Sequence, residues 1–287
     1  MKSAIAASLV GLALLVVACD VKVNDQGNID LSISQGRARD TWTRSYTIPK
    51  GGVFEIANTL GRIEAEPAGG PQLEVVAERE VRANSDEAAQ AALKLITTLE
   101  SVAPDSVRIE VKAERPAAGF NPEFYVSARY RVRVPPGVRV SFRNDTGEIV
   151  IRGLSSGVTA SMTNGPIRGR DLSGPVDALT VNGPVELSFV AVNADVKAQT
   201  VNGGVSVDLP PDANAVIEAR AVNGGVRVDD ELKVQAAERE RTRFRGTLNA
   251  GGPTVSLQVT NGGARVRLRG AQAGDQPAER GPELRER

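Results

Sequence analysis

The sequence predicts a mainly β fold: a repeat-built β-solenoid, or β-roll, with about two short strands per coil, plus one amphipathic helix near residues 86–100. Three observations carry this. First, one phrase recurs five times: a β-branched residue, then Asn-Gly, then a short apolar run, at Asn164-Gly165, Asn182-Gly183, Asn202-Gly203, Asn223-Gly224 and Asn261-Gly262. The first four copies lie about twenty residues apart, which is the mark of a repeat architecture. Second, further turn signals fall half-way between them, at Ser156-Gly157, Ser173-Gly174 and Asn193-Ala194. A turn about every ten residues leaves room for two short strands per coil. Third, the residues after each turn alternate: Val205, Val207 and Leu209 against Ser206 and Asp208, and Val185, Leu187 and Phe189 against Glu186 and Ser188. Alternation puts one set inward and the other outward. A single coil cannot bury its apolar side, whereas a stack of them can.

From the N-terminus, residues 1–18 read as a signal peptide that is removed. Lys2 supplies a positive start, and Ala4 to Val17 is a small-to-apolar run too short for a stable membrane span. It ends in Val16-Val17-Ala18-Cys19, which resembles the lipobox of bacterial lipoproteins. That resemblance implies that Cys19 is lipidated and becomes the new N-terminus. The chain is then lipid-anchored to a bacterial cell membrane, facing the periplasm or the cell exterior. Asp20 resembles an inner-membrane retention signal and weakly favours that membrane in a Gram-negative cell. Cys19 is also the sole cysteine, so no intramolecular disulfide is available.

Residues 19–41 are polar and read as a tether, with Ile29, Leu31 and Ile33 leaving room for one short strand. Residues 42–136 form an N-terminal β-rich part: Leu73, Val75 and Ala77 alternate, as do Val107, Ile109 and Val111, and Val126 through Val134. Between these strands, Asn84 or Ser85 caps a helix whose apolar side is Ala89, Ala92, Leu93, Ile96 and Leu99, with Pro104 beyond its end. The helix is expected to cover one side or end of the sheet and protect an edge. Degenerate copies of the repeat stand at Thr59-Leu60-Gly61 and Asp145-Thr146-Gly147. The solenoid proper covers residues 137–270 and continues the preceding part. Charged residues from Asp229 to Arg245 interrupt it as an exposed loop or strand excursion. The tail, residues 271–287, is Gly, Pro, Gln and charge, the composition of a disordered segment.

Composition narrows the function. Lys and Arg number 35 and Asp and Glu 35, so no charge excess points to nucleic acid. Histidine is absent, which removes the commonest general base and the commonest metal ligand. Beyond Phe142 the only aromatics are Phe189 and Phe244, a poor supply of stacking faces for sugars. The acids Glu148, Asp171, Asp177, Asp195, Asp208 and Asp229 are scattered over different coils with no fixed pair spacing, so solvated outer faces account for them better than a carboxylate-only glycosidase does. The Gly-Gly-Val-Ser-Val-Asp and Gly-Gly-Val-Arg-Val-Asp runs approach a calcium nonapeptide, but Ser206 and Arg227 stand where its turn glycine belongs. No catalytic residue, metal or cofactor is therefore assigned. The five Asn-Gly pairs are assigned to corners: Gly permits φ > 0, and Asn164, Asn182, Asn202 and Asn223 are expected to stack as an amide ladder, each pairing with the next coil.

The order of these features is itself informative. Strands and one capped helix precede Arg133-Val134-Pro135-Pro136-Gly137-Val138, then Asp145-Thr146-Gly147-Glu148-Ile149, then the Val-Asn-Gly-Gly-Val phrases. Over roughly Tyr46 to Arg269 this resembles the bacterial putative-adhesin family, an uncharacterised repeat-built β-solenoid domain of envelope proteins. The resemblance implies adhesion and supplies no catalytic residues. A bactofilin-like polymer is related, although a lipid anchor and the Asp229–Arg245 interruption oppose filament growth. The leading expectation is a non-enzymatic cell-envelope lipoprotein that offers a rigid β-solenoid as an adhesion, interaction or structural surface. Its partners are the membrane, through Cys19, and an envelope protein or glycan. The alternatives are a cell-wall glycan-binding module or carbohydrate-active β-helix enzyme, and an envelope-stress regulatory partner.

Overall fold

The computed structural model describes residues 20–23, 29–32, 36–113 and 124–270. Cys19, residues 1–18 and the tail 271–287 lie outside the described residues. Within the segment expected to be a tether, β1 (Asp20–Val23) and β2 (Ile29–Ser32) pair antiparallel, and β3 (Gly36–Tyr46) already begins five residues before its expected end at 41.

The rest is a stack of two-strand coils closed over one core. β4 (Val53–Pro67) is the first coil, written as one long strand that bends near Gly61. An excursion follows: β5 (Leu73–Ala83), helix α1 (Asp86–Leu93), β6 (Ile96–Val102), β7 (Ser106–Ala113) and β8 (Tyr125–Val134). The second coil, β9 (Arg139–Arg152), returns to lie parallel to β4 from Val53↔Arg139 to Ala65↔Ile151. Then come β10 (Val158–Asn164) with β11 (Ile167–Leu172), β12 (Val176–Asn182) with β13 (Val185–Phe189), and β14 (Val196–Asn202) with β15 (Val205–Leu209). Each coil sits in parallel register on the one before, as in Asn164↔Asn182 and Asn182↔Asn202.

The order then breaks. β16 (Ala215–Asn223) and β17 (Val226–Val228) form the next coil in sequence, followed by a hairpin of β18 (Gln235–Arg239) and β19 (Arg243–Leu248). The last coil, β20 (Thr254–Asn261) with β21 (Ala264–Leu268), is inserted between β14–β15 and β16–β17. The coil that comes last in the chain is therefore next to last in the stack.

Two sheets result, one on each side of the core. The first runs β6, β7, β4, β9, β10, β12, β14, β20, β16, β19, β18; the second runs β3, β5, β8, β4, β9, β11, β13, β15, β21, β17. Small β-branched residues fill the space between them, with Val158, Val176, Val196 and Val255 one above another. Where larger side chains are needed, Phe54 and Phe142 meet edge to face at 6.4 Å.

Helix α1 ends at Leu93, not near residue 100. Ser85 caps it by accepting from the Ala88 N–H at 3.2 Å. The β-branched run Ile96-Thr97-Thr98 leaves the helix for β6, which pairs with β7, so Leu99 lies on a strand and is exposed. The helix buries Ala89 and Ala92 in a small second core with Ala38, Val81, Ala83 and Ile96. Asp86 fixes it to β3 by accepting from the Arg37 N–H at 2.9 Å.

Candidate functional surface

The Asn-Gly corners are built from two ladders, one exposed and one buried. In the exposed one, each Asn donates its amide to the carbonyl oxygen of a neighbouring Asn: Asn182 to Asn164 at 2.9 Å, Asn202 to Asn182 at 2.8 Å, Asn261 to Asn202 at 2.8 Å and Asn223 to Asn261 at 2.8 Å. The ladder order is thus 164, 182, 202, 261, 223. Asn202 and Asn223, expected to be neighbours, are separated by Asn261 because the last coil is inserted there. Gly165, Gly183, Gly203 and Gly262 all sit at positive φ, whereas Gly224 is not among the positive-φ glycines. At Gly183, with φ +153°, an added Cβ would stand 2.2 Å from the Gly165 carbonyl oxygen, so close coil contact as well as torsion demands glycine.

The buried ladder has no Asn-Gly phrase of its own to mark it in the sequence. Asn58 donates to Asn144 Oδ1 at 3.1 Å, and Asn144 donates to the Gly61 carbonyl at 3.0 Å. In the same row, Thr180 donates to Gly165 O at 3.0 Å and Thr200 to Gly183 O at 2.8 Å. These side chains satisfy glycine carbonyls that the bend removes from the strand ladder.

The six acids considered as catalytic candidates are held apart. Glu148 lies between Arg62 and Arg168, Asp171 binds Arg269, and Asp208 takes Arg267 in a two-pronged contact at 2.7 and 3.2 Å. Asp195 accepts from the Thr254 N–H at 2.8 Å and Asp229 from the Leu268 N–H at 3.3 Å. Asp177 is exposed, in register with Lys197. Glycoside hydrolysis needs two carboxylates about 5–10 Å apart across one bond; these six face cations and backbone. Among the described residues no group of three His, Cys, Asp or Glu side chains could hold a metal, and no helix is long and apolar enough to cross a membrane.

What the fold does display is two outer surfaces. The second sheet is laced with paired charges. Arg131 binds Glu78, Arg133 bridges Glu66 and Glu74, and Arg168 bridges Glu148 and Glu186. Partial burial lowers the affinity of Arg168 for its proton, but hydrogen bonds to Glu186 and Glu148 outweigh this and hold it above its ordinary value. At the sheet's first edge, Arg82 and then Arg39 draw the Glu80 carboxyl below the usual carboxylate range. The outer side of the first sheet instead shows Leu179, Val181, Val201 and Val222, each 37–55% exposed.

Fold and surface together define a two-sided β-solenoid whose outward side chains are fixed in rows by coil register. The Toastrack DUF4097 family matches residues 20–267, and the chain belongs to that family. Among solved structures, it is similar to a "putative cell adhesion protein" from Clostridium sporogenes, at 12% identity over 80% of this chain and 100% of that one, with TM-score 0.43. It is also similar to a "putative adhesin" from Bacteroides fragilis, at 12% identity over 80% and 97%, TM-score 0.34. A third, a "putative adhesin" from Parabacteroides merdae, shares 7% identity over 79% and 95%, TM-score 0.26. No curated protein matches the chain.

Proposed function

We propose that the chain is a non-enzymatic cell-envelope lipoprotein that holds a rigid β-solenoid at a membrane surface as an adhesion or interaction module. The observation that carries this reading is the outer surface itself. Its rows of side chains are set by coil register, with paired charges on one sheet and, on the other, exposed Val181 beside Val201, with Thr260 standing between Val201 and Val222. Apolar side chains gathered on one outer face favour a contact surface there. Membership of the Toastrack DUF4097 family and the Val16-Val17-Ala18-Cys19 motif support an envelope setting.

Three measurements test it. Cys19→Ala should move the protein from the membrane fraction to the soluble fraction; retention on the membrane would remove the lipid anchor from the proposal. Immobilised chain should retain an envelope component, and Val181→Glu with Val201→Glu should weaken that retention. Turnover of peptidoglycan or another envelope glycan by the purified chain would replace this reading with an enzymatic one.

A further inference from the structure

On the second sheet arginines stand opposite one another at Arg62 and Arg129, at Arg152 and Arg170, and at Arg265 and Arg227; the last pair lines a trough that holds a single carboxylate. Along one outward row the register runs Arg168, Glu186, Ser206, Arg265, Arg227. Arg168 and Glu186 pair at 3.0 Å, but beyond Ser206 two arginines stand opposite each other on adjacent strands. Neighbouring parallel strands lie only about 4.8 Å apart, and like charges directly opposite destabilise a sheet. Among the described residues neither arginine has a carboxylate partner. Arg241, from the β18–β19 hairpin, adds a third such cation on the same rim.

The backbone beneath them is unusually bare. In two earlier coils the residue after the corner glycine is Pro166 or Pro184, which has no N–H. In the three coils at this end it is Gly204, Gly263 and Gly225. Exchanging rings for hydrogens opens a trough of about 590 Å³ across the stack. Their carbonyls are used, accepting from Val185, Val205 and Ala264. Their N–H groups make no hydrogen bond among the described residues. On the floor, the Ser206 hydroxyl is buried and also has no partner. The Arg241 guanidinium is held at the rim by donating to Gly224 O at 2.8 Å, which leaves its other donors free. The lining's one carboxylate, Glu186, is committed to Arg168.

An excess of donors over acceptors, three cations and a concave shape together select an anion. We propose that this trough binds a phosphate-class oxyanion carrying at least two negative charges, held between Arg227, Arg265 and Arg241. A bridging oxyanion converts the repulsion of the opposed arginines into charge-assisted forked hydrogen bonds. A concave surface lined mostly by one sign of charge focuses the field of the three guanidinium groups on the bound anion. The inference rests on reading the outer face as an interaction surface, and gives that surface a ligand chemistry.

The full chain carrying Cys19→Ser, which has no lipid of its own, is titrated with tripolyphosphate in a calorimeter. Saturable binding is expected, with affinity falling at least about tenfold in Arg227→Gln/Arg265→Gln, equivalent to about 1.4 kcal/mol. Arg129→Gln, on the same sheet away from the trough, should bind as the parent does. Tripolyphosphate should also raise the parent's Tm and leave the double variant's unchanged, which separates lost binding from lost folding. No saturable binding by the parent, or equal affinity in the double variant, overturns the site. Sedimentation with phosphatidylcholine vesicles containing phosphatidic acid, whose phosphomonoester can carry two negative charges, then distinguishes two sources. Vesicle binding displaced by tripolyphosphate assigns a lipid headgroup, and tripolyphosphate binding without vesicle binding assigns a soluble phosphate. Failure of the oxyanion titration with the envelope retention intact would remove this inference alone.

Discussion

Asn144 and Asn182 carry the same amide in two settings, and the difference should be measurable. Asn144 is fully buried between Asn58 and the Gly61 carbonyl, so truncation strands two buried polar groups. Asn182 makes two ladder bonds but faces water, which can replace them. Asn144→Ala should cost about 2–4 kcal/mol and Asn182→Ala about 1 kcal/mol; equal losses in chemical denaturation would show that burial does not set the cost. Tyr130 is the opposite case. Its ring is fully buried, burial pushes the phenol pKa up, and the hydroxyl has no partner. Tyr130→Phe removes an unsatisfied oxygen while keeping the ring, and should raise stability by about 1–2 kcal/mol, read as a higher denaturation midpoint. The corner glycines are legible in the sequence because a bend at positive φ restricts residue type. Thr180 and Thr200 are not, because threonine in an alternating strand suits either side. Only the coil register places their hydroxyls under glycine carbonyls.

At the scale of the element, what the sequence conceals is order. All five Asn-Gly phrases specify the same corner, so any coil fits against any other, and local sequence does not say which follows which. Asn202 would meet Asn223 in the same register in which it meets Asn261. The helix boundary is hidden for a related reason: Ile96 and Leu99 fit the helical spacing, but β-branched Thr97 and Thr98 and the edge of β7 draw the segment into a strand. The inserted coil makes a direct prediction. Among the described residues β17 pairs only with β21, and β16 is joined to the stack through β20, so residues 215–248 depend on the last coil to reach β14 and β15. A chain ending at Gly252 should lose hydrogen-exchange protection across residues 215–248 while residues 53–187 keep theirs, because a stacked solenoid transmits stability mainly between neighbours. Full protection in both regions would mean that β16 and β17 close directly onto β14 and β15.

For the whole molecule, the question is why a stack of interchangeable coils stops. Parallel coils leave unpaired N–H and C=O groups at each end, a template for another copy. Both ends of the first sheet are finished with antiparallel strands instead. β6 turns back along β7 at one end, and β19 and β18 turn back along β16 at the other. In the second sheet β3 and β5 close one end beside α1, and β17 reduces the other to three residues. The charges of the Asp229–Arg245 interruption have a matching role: Arg239 binds Asp230 at 3.0 Å and Arg245 binds Glu218 at 3.3 Å, keeping the terminal hairpin in place and its outer strand polar. The hairpin is thus a cap, as terminal units of repeat proteins must be. Replacing residues 230–248 with a short Gly-Ser turn leaves the flat parallel strand β16 at the edge, with Glu218 and Arg220 as its outward charges. The uncapped chain should self-associate with increasing concentration in sedimentation velocity, under conditions where the parent stays a single species. If it sediments like the parent and remains folded, strand capping is not what limits the stack, and the outward charges of β16 must suffice on their own.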